Sequence, residues 1–199
     1  IALLSQTLKE WSAQCNNNIY PICICSDSHA SDNEEYSISD LSFPATTDAN
    51  KVREQFTHYK MQQFKEGGII VVFSTYQSID VIGCVQKEIN NIKKNSFIFD
   101  LIICDEAHRT TGIKQKGRDQ SSFTKVHLNE NICSKKRLYM TATPRLYSPE
   151  VQSKAKEKEV ELWSMDDLQQ FGKEIYRIGF GEAVEKQLLS DYKVIVLTL

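Results

Sequence analysis

Nowhere in this chain of 199 residues do 18 apolar residues run together. A helix needs about 20 such residues to cross a bilayer, so a membrane-spanning helix is excluded. The apolar opening, Ile1-Ala2-Leu3-Leu4, gives way at once to polar residues. It is too short for the core of a secretory signal, and the expectation is a cytoplasmic protein with no membrane partner. There is no excess of basic charge: 24 Lys and Arg stand against 26 Asp and Glu, a formal net charge of −2. That balance excludes a global positive field, so any nucleic-acid contact has to come from a local patch. The six cysteines (Cys15, Cys23, Cys25, Cys84, Cys104, Cys133) contain no C-x-x-C pair, the spacing on which zinc and redox motifs are built. They read as reduced core residues of a cytosolic protein. His29, His58 and His127 have no ligand spacing to one another or to cysteine, so no zinc site is read. An initiator methionine is also lacking, and Ile1 already lies inside an amphipathic pattern, which reads as a fragment of a longer chain.

What is present is an alternation of apolar strands and helical stripes. The length fits one domain or one and a half. Leu3, Leu4, Leu8 and Trp11 predict a helix over 1–14. A strand follows over 19–25, with Pro21 keeping it near a sheet edge or at the strand start. Residues 26–47 are polar and read as a long loop. Asp48 caps a helix carrying Val52, Phe56 and Tyr59, ended by Gly67-Gly68. A strand over 69–73 leads to a helix capped by Ser74 or Thr75, with the stripe Ile79, Ile82, Val85, Ile89 and Ile92. Further strands are predicted over 97–104, 137–141 and 193–199, helices over 149–161 and 182–189, and a polar loop over 110–122. Continuous rather than alternating hydrophobicity predicts strands covered on both faces, hence an α/β fold with a mostly parallel sheet and right-handed crossovers.

In such sheets ligands bind beyond the carboxyl ends of the strands. There the sequence places Ser74-Thr75-Tyr76-Gln77-Ser78, Asp105-Glu106-Ala107-His108-Arg109-Thr110-Thr111-Gly112 and Thr141-Ala142-Thr143-Pro144-Arg145. Parallel strands point their ends the same way, so Thr75, Asp105 and Thr141 are expected on one edge. An acidic pair at a strand end suits nucleoside triphosphate hydrolysis: one carboxylate holds Mg²⁺ and its neighbour orients or deprotonates water. Taken alone, the pair serves equally well as a turn cap. Lys114, Lys116, Arg118, Lys125 and Lys135-Lys136-Arg137 read as solvated surface in preference to a phosphate track.

Together these strings resemble the motifs of superfamily 2 helicases. Asp105-Glu106-Ala107-His108 resembles motif II in its D-E-A-H form, Thr141-Ala142-Thr143-Pro144 motif III, and Ser5-Gln6-Thr7 motif Ia. Ser74 to Ser78 resembles the S/T-T-Y-Q-S element between motifs Ia and II. The D-E-A-H-R-T-T-G and T-A-T-P-R forms are similar to the motors of type I and type III restriction enzymes. The stretches around 164–167, 180–184 and 189–194 are similar to the helicases of single-polypeptide restriction–modification systems. The resemblance implies a three-layer, mostly parallel RecA-like lobe over 1–147, with 148–199 completing it and leading towards a second lobe. It implies ATP and Mg²⁺ as cofactors and duplex DNA as partner, with nuclease or methyltransferase regions elsewhere in the parent. By the same resemblance Asp105 holds Mg²⁺, Glu106 is the base and His108 couples the nucleotide site to motif III. Thr141 and Thr143 link hydrolysis to the DNA track, and Gln6, Thr75 and Gln77 lie near the DNA backbone.

The departures are as informative. No G-x-x-x-x-G-K-[ST] loop occurs, and motifs IV to VI with their arginine finger are absent. The family's phosphate-loop strand is expected beside the Asp105 strand, so its absence implies exposed apolar side chains there. The alternatives are a DEAH-type RNA helicase lobe and a nucleic-acid-binding module whose ATPase has decayed.

Overall fold

The computed structural model describes residues 2–25, 45–92, 97–114, 121–158 and 160–191. The expected strand over 193–199, most of the loop over 26–47, and His29, Lys116 and Arg118 lie outside the described residues. The chain runs α1 (Ala2–Gln14), β1 (Ile19–Ile24), α2 (Ala49–Glu66), β2 (Ile69–Ser74), a 3-10 turn (Tyr76–Ser78) and α3 (Ile79–Ile92). Then come β3 (Ile102–Cys104), a 3-10 turn (Ala107–Thr110), β4 (Gly112–Lys114), a 3-10 turn (Lys125–His127) and β5 (Arg137–Tyr139). α4 (Pro149–Glu157), β6 (Glu161–Trp163) and α5 (Phe180–Glu185) complete it.

Local chemistry sets the helix ends. Asp48 accepts from the amides of Asn50 and Lys51 and so starts α2. Gly67 closes it at φ 73°, a left-handed conformation that costs glycine nothing. Gly68 is required twice over: its φ is 107°, and a Cβ there would lie 2.6 Å from the Asn18 carbonyl oxygen. α2 buries Val52, Gln55, Phe56 and Tyr59, and α3 buries Ile79, Ile82, Gly83, Val85 and Gln86. Of these, Val52, Phe56, Tyr59, Ile79, Ile82 and Val85 meet Ile22 and Ile24 of β1 with Phe97, Cys104, Ala107, Val126 and Ile132 in one apolar core.

The sheet departs from the expectation of a single mostly parallel one. Among the described residues there are three two-stranded ladders. β1 pairs with β2 in parallel from Ile19↔Ile69 to Ile24↔Ser74, and β3 with β5 in parallel from Ile102↔Arg137 to Cys104↔Tyr139. β4 pairs with β6 antiparallel, which puts a strand in the segment expected to be loop. Double-sided burial holds for Ile22, Cys23 and Ile24, whereas Ile69, Leu101 and Ile103 are exposed. The expected strand over 97–104 shrinks to its last three residues for a specific reason. The Phe97 amide donates to Asn90 Oδ1, and its carbonyl accepts from the side-chain amides of Gln86 and Asn90. With its backbone satisfied by α3, Phe97 is free to stack on Phe56 at 3.8 Å between ring centroids. The α3 stripe also fades: Ile92 is exposed. So is Trp11, whose ring meets that of Phe73 edge-on. Burial of all six cysteines does not hold either. Cys23, Cys25 and Cys104 are buried, Cys15 and Cys133 are half-buried, and Cys84 is exposed.

Gly83 gives a test in which two effects oppose. Alanine in a helix interior is favoured over glycine by about 1 kcal/mol, but a Cβ at Gly83 would stand 2.3 Å from the Asn131 carbonyl oxygen. Overpacking against rigid backbone costs roughly 1–3 kcal/mol, so Gly83→Ala is expected to lower stability. Urea denaturation followed by circular dichroism measures it, and a variant as stable as wild type or more so contradicts the contact.

Candidate functional site

The in-register pairing of β3 with β5 places Cys104 opposite Tyr139. The ladder continues past both strands: the Met140 amide donates to the Cys104 carbonyl and the Ala107 amide donates back to the Met140 carbonyl, each at 2.9 Å. The turns that leave the two strands therefore lie side by side. His108 Nδ1 is 2.9 Å from Thr141 Oγ1, 3.3 Å from Thr143 Oγ1 and 3.3 Å from Glu106 Oε2. One ring nitrogen cannot serve three partners with a single proton, so the hydroxyl rotors decide which contact is made. The Thr143 amide donates to Thr141 Oγ1 and fixes the turn.

Glu106 sits at φ 49°, ψ 44°, a left-handed conformation that costs a non-glycine residue on the order of 1–2 kcal/mol. The surroundings hold it there. Its amide donates to Asp105 Oδ1 at 2.9 Å, its carbonyl accepts from the Arg109 amide, and the next residue is tied to Met140. The carboxylates of Asp105 and Glu106 are exposed. An exposed aspartate with hard oxygen donors, oriented by a backbone amide, fits Mg²⁺ held through one carboxylate and completed by water and phosphate.

The third strand end joins through Tyr76, whose hydroxyl donates to the Asp105 carbonyl at 2.7 Å. Thr75 Oγ1 donates to Ser78 Oγ, and Gln77 is exposed on the same turn. Asp105, Glu106, His108, Thr141, Thr143 and the turn bearing Thr75 and Gln77 are thus brought together. Gln6 is exposed on α1, and among the described residues no hydrogen bond ties it to this group.

Behind the site lies a scaffold that sequence reading missed. His127 donates from Nε2 to the Thr110 carbonyl at 3.1 Å and accepts at Nδ1 from the Tyr139 hydroxyl at 2.9 Å. It thereby bridges the end of the D-E-A-H turn to β5. The carbonyl can only accept, which assigns the tautomer. Trp163, Phe171 and Tyr139 surround the ring, and burial pushes the His127 pKa down to about 4. Of the basic residues read as solvated, Arg137 and Lys125 are structural, while Lys135 stays exposed. Arg137 donates to the carbonyls of Val126 and Ile132 and to Asn129, Lys125 pairs with Asp80, and Lys135 pairs with Asp100. No spacing rule marks these residues, because their partners are backbone carbonyls and distant carboxylates.

Residues 1–146 match the family model described as the type III restriction enzyme, res subunit. No curated protein is significantly similar to the chain. Among solved structures, a nuclease-deletion mutant of the Type ISP restriction-modification enzyme LlaGI in complex with a DNA substrate mimic is 39% identical, with a TM-score of 0.68 over 96% of this chain. The ATP-dependent Type ISP restriction-modification enzyme LlaBIII bound to DNA is 40% identical, with a TM-score of 0.67 over 96% of this chain. The chain spans only 13% and 12% of those two proteins.

The His127 tautomer carries a pH dependence. The folded-state pKa of about 4 lies below the unfolded value of 6.5, so the unfolded chain binds the extra proton first. Stability from this group is complete above about pH 6.5 and is lost as pH falls towards 4, by at most about 1.4 kcal/mol per pH unit. Urea midpoints measured from pH 7 to pH 4 are expected to fall more steeply for wild type than for His127→Phe. Parallel slopes contradict a buried neutral ring.

Proposed function

The chain belongs to the family of type III restriction enzyme Res subunits, and on that premise we propose that residues 1–147 are the first RecA-like lobe of an ATP- and Mg²⁺-dependent DNA translocase or helicase. Residues 148–199 complete that lobe and lead towards a second one. The whole is the cytoplasmic motor of a bacterial restriction–modification enzyme acting on duplex DNA. The observation that carries this reading is the convergence of His108 with Glu106, Thr141 and Thr143 beyond two paired parallel strands. A simple turn cap needs the Asp105–Glu106 contact alone and has no use for that cluster. The two solved relatives, one ATP-dependent and both holding DNA or its mimic, support DNA as the partner.

In this reading Asp105 holds Mg²⁺, which when bound offsets the charge of the triphosphate. Its carboxylate is already oriented by the Glu106 amide. Glu106 accepts the proton of the attacking water, and its left-handed backbone fixes the approach of its carboxylate before substrate arrives. His108 has a choice of partners: contact with Glu106 on one side, contact with Thr141 and Thr143 on the other. A change in hydroxyl orientation at the β5 turn therefore reaches the base through a single ring nitrogen. Thr75 and Gln77 present the polar edge of the β2 turn towards the DNA backbone, and Gln6 extends that track from α1. The exposed Leu101, Ile103 and Met140 beside β3 and β5 suit a sheet edge that takes a further strand.

Two outcomes are expected. In the full-length enzyme, Glu106→Gln lowers DNA-stimulated ATP turnover by about 10²–10⁴-fold; turnover within about threefold of wild type would remove Glu106 from the role of base. A protein of these 199 residues alone, lacking a phosphate loop and an arginine finger worth about 10³–10⁵ in rate, releases no phosphate above background with Mg²⁺, ATP and duplex DNA. Turnover comparable to the full-length enzyme would show that the missing motifs are dispensable and overturn the family reading of the mechanism.

A further inference from the structure

The peptide unit between Asp105 and Glu106 is gripped at both ends. Its oxygen accepts from the Tyr76 hydroxyl at 2.7 Å, and its N–H donates to Asp105 Oδ1 at 2.9 Å. The residue that follows is held left-handed, at φ 49°. Rotating this one peptide plane breaks both hydrogen bonds, releases the Asp105 carboxylate and takes Glu106 out of its strained conformation. A flip of the plane would trade both hydrogen bonds for relief of the strain at Glu106, and an element that transmits between sites requires two alternatives of that kind.

Tyr76 is well placed to decide between them. Among the described residues no strand ladder joins β2 to β3, so at their carboxyl ends the direct hydrogen bond between the two is that of the Tyr76 hydroxyl. The ring lies 5.4 Å from that of Phe123, over which the guanidinium of Arg109 sits at 5.1 Å. The tyrosine is thereby wedged against the D-E-A-H-R turn as well as bonded to it. The Asp105 carbonyl can only accept, so the Tyr76 hydroxyl donates to it. Its chain neighbours, Thr75 and Gln77, are exposed.

We infer that Tyr76 is a positioning residue whose hydroxyl locks the 105–106 peptide and thereby couples occupancy of the Thr75–Gln77 edge by duplex DNA to the metal–nucleotide side at Asp105 and Glu106. The inference rests on the motor reading and names its link. DNA that shifts the β2 turn moves the tyrosine, and the tyrosine sets the peptide. Linkage requires the effect to be reciprocal: nucleotide alters DNA affinity by the factor by which DNA alters nucleotide affinity.

The test measures binding and needs no turnover. In the full-length enzyme, affinity for the Mn²⁺ complex of a non-hydrolysable ATP analogue is read by electron paramagnetic resonance of free Mn²⁺, with and without a duplex oligonucleotide. The wild type is expected to show a DNA-dependent change of roughly fivefold or more. Tyr76→Phe, which removes only the hydroxyl, should bring that factor below about twofold. Phe123→Leu, which loosens the wedge and keeps the hydroxyl, should lower it as well. A purely structural role would move the melting temperature and leave the ratio intact. Tyr76→Phe retaining the wild-type ratio overturns the inference and leaves the motor reading standing, as does a wild type whose ratio is one. A wild type that binds no Mn²⁺–nucleotide at all overturns the motor reading, and this inference with it.

Discussion

Everything chemical in this molecule depends on one short parallel pairing, β3 against β5 in the register that sets Cys104 opposite Tyr139. Three residue pairs are little ladder, yet the pairing is extended by two further main-chain bonds between Cys104, Met140 and Ala107. A slip of one residue would carry the side chains of β5 to the other face of the sheet, since side chains alternate along a strand. His108 would then lose its threonines. The distances of 2.9 and 3.3 Å within that cluster follow from the register.

So precise a pairing needs support from behind, and the core supplies it with polar as well as apolar groups. Gln86, buried on α3, donates to the carbonyl of Cys133 and accepts from its amide, so that one side chain holds the approach to β5. Arg137 gathers the carbonyls of Val126 and Ile132, and His127 ties Tyr139 to Thr110. Each satisfies a backbone group that would otherwise be buried unpaired, at a cost of about 1–3 kcal/mol apiece. The antiparallel β4–β6 ladder pins the far end of the D-E-A-H segment to the chain beyond α4. A rigid frame of this kind is what allows Glu106 to remain in a conformation that an isolated peptide would abandon.

Much of this was legible in the residues, and the reason differs from case to case. Helix starts and stops are local chemistry. Asp48 and Gly67 announce the ends of α2 because an N-cap carboxylate and a left-handed glycine act within a few bonds of themselves. The strings after β2, β3 and β5 were legible because each is a compact polar run that directly follows an apolar one, in the order and spacing of the family's motifs. Strand length was not legible. Phe97 is as apolar as any strand residue, but its backbone is claimed by Asn90 and Gln86, which nothing near it in sequence reveals.

The sequence by itself determined the succession of α1, β1, α2, β2 and α3, the carboxyl-end location of the polar strings and the family to which they belong. These rest on periodicity, capping and motif spacing, all properties of residues close together along the chain. Only the tertiary structure decided which strands pair, that 112–114 meets 161–163, that His127 and Arg137 brace the site, and that Tyr76 reaches the Asp105 carbonyl across 29 positions. Each of those joins residues far apart along the chain, and the energy that selects them comes from burial and hydrogen bonding in the assembled core. No local pattern records a partner that becomes a neighbour only on folding.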